Sequence, residues 1–93
     1  DEQETEADKD YVLVSPNPAN PTTTIMYRIG ESKRITLDVY SITGQKVATL
    51  VDDVMNAGVH TARFNGAAFG SGIYFYRFAA DGDVKTGRFT VLK

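Results

Sequence analysis

The sequence predicts an all-β domain, a sandwich of seven short antiparallel strands. Three observations point there. From Tyr11 onward the apolar residues recur with period two, turn residues interrupt them every 8–12 positions, and no stretch carries a sustained helical period. The length of 93 residues suits one small domain, and 42% apolar residues with ten Tyr and Phe suffice for one packed core.

Each element follows in order. "DEQETEADKD", residues 1–10, holds six acids against Lys9 and one apolar residue, Ala7. Such a segment buries too little surface to repay its ordering entropy, so it is expected to be a disordered acidic linker. Residues 11–93 are expected to form the sandwich. "YVLVS" is a first strand. "SPNPANPTTTI" then uses all three prolines of the chain, Pro16, Pro18 and Pro21, within six residues. Proline fixes φ and lacks an N–H, so this segment should stay extended and out of a central sheet. Asn17 and Asn20 precede prolines and favour extended or turn geometry, with side chains able to bond nearby backbone. "TTTIMYRI" places Ile25, Tyr27 and Ile29 on one face, and "ITLDVY" does the same with Ile35, Leu37 and Val39. "SITGQ" is a turn around Gly44, and "KVATLV" a strand. "DDVMNAG" has a hint of helix and is expected to be a turn. "VHTARFN" aligns His60, Ala62 and Phe64, and "GAAFGSG" is a loop. "IYFYRFAA" is a strand, the "DG" at 81–82 a two-residue hairpin turn, and "DVKTGRFTVLK" the last strand.

"IYFYRF" is apolar on both faces. Tyr74, Tyr76 and Phe78 lie on one side and Ile73, Phe75 and Arg77 on the other. Two readings stand. Loops partly cover the second face of a central strand, or Ile73, Phe75 and Arg77 form an exposed patch that docks on a partner or a neighbouring module.

Composition excludes several classes. Without cysteine there are no disulfides, thiolate zinc sites or Cys nucleophiles. No apolar run approaches the roughly 18 residues of a membrane span, so the chain is not expected to span one. The acidic start is no signal peptide. Residues 11–93 carry nine basic and six acidic side chains, spread singly, too weak an excess for nucleic acid. The tail carboxylates lack the spacing of a calcium loop.

No catalytic constellation emerges. His60 is the sole histidine, and Ser15, Ser32, Ser41 and Ser71 lie outside any nucleophile elbow, so a packed, hydrogen-bonded His60 is expected. Glu31, Asp38, Asp52, Asp53, Asp81 and Asp83 read as solvated surface charge rather than a glycosidase pair. Neither a cofactor nor a metal is expected. Carbohydrate binding is the conventional rival, with Tyr11, Tyr40 and Phe75 as stacking platforms in a chain without Trp.

Four segments together carry a family resemblance. "SPNPANPTTTIMYRI" closely resembles the opening motif of the C-terminal sorting domains of the type IX (Por) secretion system, with Asn17, Pro18, Asn20, Pro21 and Ile25 in place. "LDVYSITGQKVATLV" is similar to the second motif through Gly44 and Val47. "AGVHTARFNGAAFGSGIYFYRF" resembles the third through Gly58, His60, Phe69, Gly72 and Tyr74. "TGRFTVLK" resembles the closing strand, which tends to end on a basic residue, here Lys93. The likeness spans residues 11–93 in the right order.

The resemblance implies a non-catalytic, immunoglobulin-like domain that sorts a larger exported protein. Its partners would be an outer-membrane translocon, a sortase-like protease that cuts upstream of the domain, and an N-terminal cargo module. The protein would be secreted or held at the cell surface. The sorting-motif residues would be Pro16, Asn17, Pro18, Asn20, Pro21, Gly44, Gly58, Gly72, Tyr74 and Lys93. The family commonly has a bulky aromatic where this chain has Ala19; if that aromatic pins the motif to the sheet or contacts the translocon, that contact is expected to be weaker here. A spacer between catalytic modules is a further rival.

Overall fold

The computed structural model describes residues 10–93. The acidic linker expected over residues 1–10 lies outside these, apart from Asp10.

The strands are β1 (Tyr11–Ser15), β2 (Thr22–Ile29), β3 (Lys33–Ser41), β4 (Lys46–Met55), β5 (Gly58–Asn65), β6 (Gly72–Ala80) and β7 (Asp83–Val91), with one 3-10 turn at Gly66–Ala68 between β5 and β6. They form two antiparallel sheets in the orders β1-β2-β5 and β4-β3-β6-β7. The chain crosses between sheets after β2, after β4 and after β5, which closes an immunoglobulin-like sandwich.

Period-two patterning explains which faces meet. Ile25, Tyr27 and Ile29 of β2 and Ile35, Leu37 and Val39 of β3 are all buried, as their alternation predicts. Phe64, Phe78 and Phe89 complete the core, and Phe64 meets Phe89 edge-on with centroids 5.6 Å apart. Burying each such side chain contributes about 1.5–3 kcal/mol. Asp81 and Gly82 both have positive φ, as the two-residue turn between β6 and β7 requires.

Two sequence expectations need correction. "DDVMNAG" is not a turn at its start: β4 continues through Met55, which pairs with Lys33 of β3. A short polar segment has too little helical tendency to resist a ladder offered by a neighbouring strand. Register shifts in the same pairing leave Val47 and Leu50 without direct partners. Strict alternation is thereby broken, and Val47, Ala48, Leu50 and Val51 all pack against the core. The second correction is Asp38, which is buried rather than solvated. Its carboxylate accepts a hydrogen bond from Thr49 Oγ1 at 2.8 Å, and Lys46 Nζ lies 3.9 Å away.

Strand direction defines two ends. One end carries Asp10, Gly30, Asn56, Ala57 and the Asp81–Gly82 turn. The other carries the proline-rich segment, the Gly44 turn, residues 66–71 and the C-terminal residues.

Candidate functional site

The proline-rich segment is built around Ala19. Its N–H donates to Thr90 O and its carbonyl accepts from Leu92 N, both at 2.7 Å, a one-residue parallel bridge to Val91 at the edge of β7. Pro21 has no N–H, so the added ladder does not continue beyond Ala19. Asn17 Oδ1 accepts from Thr90 N at 3.1 Å, so both backbone polar groups of Thr90 are held by the segment. Pro16 O accepts from Thr23 Oγ1 at 2.7 Å, and Pro21 O accepts from Gly66 N at 2.9 Å. The segment thus avoids a central sheet, as expected, and caps one edge instead.

Ala19 itself is fully buried and makes both backbone bonds. Backbone pairing, not an aromatic side chain, pins this segment. The asparagines divide. Asn17 reaches a residue far along the chain rather than nearby backbone, and Asn20 is exposed.

Three further motif segments meet at the same end. Tyr74, near the start of β6, donates its hydroxyl to Gly70 O at 2.6 Å, four residues back. This is the tyrosine corner of immunoglobulin-like sandwiches. Ser41, in register with Tyr74, opens the tight turn in which Gly44 N donates to Ser41 O at 2.9 Å and Gly44 takes φ +90°. Lys93 N donates to Ser71 Oγ at 3.0 Å, next to Gly72. Pro16, Asn17, Pro18, Asn20, Pro21, Gly44, Gly72, Tyr74 and Lys93 therefore lie at one end. Gly58 does not: it pairs with Ile29 at the opposite end.

β6 lies between β3 and β7, and its outer face is open: Ile73 and Phe75 are 37% and 38% exposed, and Arg77 is exposed. Phe75 stands opposite Tyr40 of β3 and Arg88 of β7, and Tyr40 stands opposite Lys46 of β4. Cross-strand partners share a face, so these side chains form one outward row.

Asp10 tethers the other end. Its carboxylate accepts from Gly30 N and from Lys33 Nζ, each at 3.0 Å. Burial pulls the Asp10 carboxyl up, but the Lys33 and Gly30 hydrogen bonds with the Lys33 and Lys85 charges outweigh it and hold it below its ordinary value. The bond to Asp10 raises Lys33 in turn.

The catalytic arrangements considered from the sequence do not come together among the described residues. His60 Nε2 donates to Asn56 O at 2.7 Å and its ring stacks on Tyr27 with centroids 5.4 Å apart, a packed role. Ser41 and Ser71 sit at the far end, occupied in turn and terminus bonds. Asp52 pairs with Arg34, and Asp53 accepts from Val54 N. No group of three or more metal-ligating side chains occurs among the described residues, and no helix among them is long and apolar enough to cross a membrane. Of the three candidate stacking rings, Tyr11 lies on the other sheet, whereas Tyr40 and Phe75 stand opposite each other on the four-stranded sheet.

Sequence reasoning missed Ser71, Thr90 and the central part of Ala19. Their contacts join residues far apart in the chain, and no periodicity signals them. It also missed Ile42, Lys46 and Arg88 as neighbours of the Ile73–Arg77 face, which only the register reveals.

Residues 13–92 match the family model described as the secretion system C-terminal sorting domain. No curated protein matches the chain.

Proposed function

We propose a mode of recognition for this chain on one premise: the chain belongs to the family of type IX secretion-system C-terminal sorting domains, which direct exported proteins to the cell surface or beyond. The family is generally non-catalytic, and the match lends no support to the carbohydrate-binding or spacer readings.

The outer-membrane translocon reads the folded end where the motif segments converge. Pro16, Asn17, Pro18, Asn20, Pro21, Gly44, Gly72, Tyr74 and Lys93 shape or present that end, while Gly58 acts at a distance. An N-terminal cargo is carried at the opposite end, beyond Asp10. A sortase-like protease cuts upstream of the sandwich, in the acidic stretch 1–10 or before it, once the cargo is outside. Ile73, Phe75 and Arg77 add a partner face beside the motif end. The observation that carries this reading is the clasp of the opening motif onto the closing strand through Ala19, Asn17 and Thr90. It makes one surface from segments that are far apart in sequence.

The test is export of a parent protein lacking residues 11–93. It should accumulate in the periplasm, and normal appearance outside the cell would sink the reading.

A further inference from the structure

We propose that the outer face of the four-stranded sheet is a docking surface for an acidic polypeptide strip. That the strip belongs to the export machinery rests on the reading above; its chemistry is argued from this face alone.

The row Lys46–Tyr40–Phe75–Arg88 crosses all four strands, and Arg77 lies two positions along β6 from Phe75. Ile73 follows on the side of the Gly44 turn, where Ile42 is 66% exposed. A sheet with one face on the core normally turns polar residues outward. Here Ile73 and Phe75 of β6 and Tyr40 of β3 face outward, rimmed by cations, the pattern of an interaction site.

The charge on this face is unbalanced. Asp38 is the acid beside Arg77, and it is buried, bonded to Thr49 and 3.9 Å from Lys46. Arg77 and Arg88 are exposed and form no ion pair among the described residues. Guanidinium groups engage carboxylates in bidentate pairs, so the complementary surface carries Asp and Glu. Aromatic residues with Arg are also the types that dominate the centres of protein interfaces.

A polypeptide fits better than a bilayer. Membrane-surface binders sink apolar groups about 5–10 Å into the headgroup boundary. Ile73 and Phe75 are only 37% and 38% exposed, lying within the sheet surface rather than projecting from it.

The test titrates the whole chain with a glutamate–tyrosine copolymer at physiological salt, following amide and aromatic NMR shifts. Binding should saturate, with shifts centred on Tyr40, Phe75, Arg77 and Arg88. Phe75→Ala and the double variant Arg77→Glu/Arg88→Glu should each weaken it tenfold or more. Arg63→Glu, exposed on the other sheet, should change it less than twofold. Equal weakening by Arg63→Glu would overturn the proposal. So would tighter binding to phosphatidylglycerol vesicles, or self-association through this face without copolymer. In cells, the double arginine variant of the parent should lose most export while the domain's unfolding temperature is unchanged. Normal export of that variant, in cells where deletion of 11–93 blocks export, overturns this inference and leaves the sorting reading standing. Normal export of the deletion refutes the sorting reading, and the copolymer titration then decides this one.

Discussion

At Ala19 a small side chain lets the backbone of the proline-rich segment come within 2.7 Å hydrogen-bonding distance of both Thr90 and Leu92. The residue has no exposed surface and belongs to the core. A larger side chain must displace core neighbours, which costs about 1–3 kcal/mol. Ala19→Phe should therefore lower the thermal midpoint, by roughly 4–8 °C per kcal/mol in a domain this small. Circular dichroism melting checks this, and an unchanged midpoint would show that the clasp tolerates the aromatic the family commonly carries there. The alternating core residues of β2 and β3 were legible from sequence because each faces inward by local period. Ala19 was not, because its burial depends on a strand more than 70 residues away.

At the scale of elements, the Asp10–Lys33 pair ties the start of the described chain to the beginning of β3. Its pH dependence has a definite sign. The Asp10 carboxyl is held below its ordinary value. The stability it contributes is present above the unfolded value, about pH 4, and is lost as pH falls through the lower folded value. The raised Lys33 contributes below its unfolded value and is lost as pH rises through the folded one. The pair is partly exposed to solvent, with side chains 12% and 16% exposed, so its worth is at most about 1 kcal/mol. Asp10→Asn should lower urea stability by roughly that amount at pH 7 and have almost no effect at pH 2.5. An equal loss at both pH values would refute the electrostatic account. β4 teaches the complementary lesson. Its first six residues were readable as a strand, but "DDVM" became strand only because β3 extends far enough to pair with it.

For the whole molecule, the two sheets are coupled at the motif end through the clasp. The closing strand carries Val91 into the core, and Thr90 and Leu92 hold the opening motif. Ending the chain at Phe89 removes all three. The lost core burial and orphaned backbone groups cost several kcal/mol, on the order of 3 or more, against a typical total of about 5–15. The truncated domain should show little or no cooperative unfolding and a collapsed amide spectrum. Native dispersion would mean that the clasp is dispensable. With the fold lost as expected, an export defect of this truncation is attributed to the fold as much as to any direct contact with Lys93.

The sequence by itself determined the all-β class, the seven strands, the inward faces of β2, β3, β5 and β6, the Asp81–Gly82 turn and the four motif segments. All but the motif segments, which come from the family resemblance, follow from local rules: side chains alternate along a strand, glycine and aspartate accept positive φ, and proline ends a ladder. Only the tertiary structure decided how the strands divide between sheets, how far β4 runs, that Asp38 is buried, and that the proline-rich segment closes on β7. It also decided that Tyr40, Phe75, Lys46 and Arg88 share one open face. The reason is physical. Alternation specifies which side of a strand faces a core, whereas pairing between distant strands is chosen by the combined burial and hydrogen bonding of the folded whole.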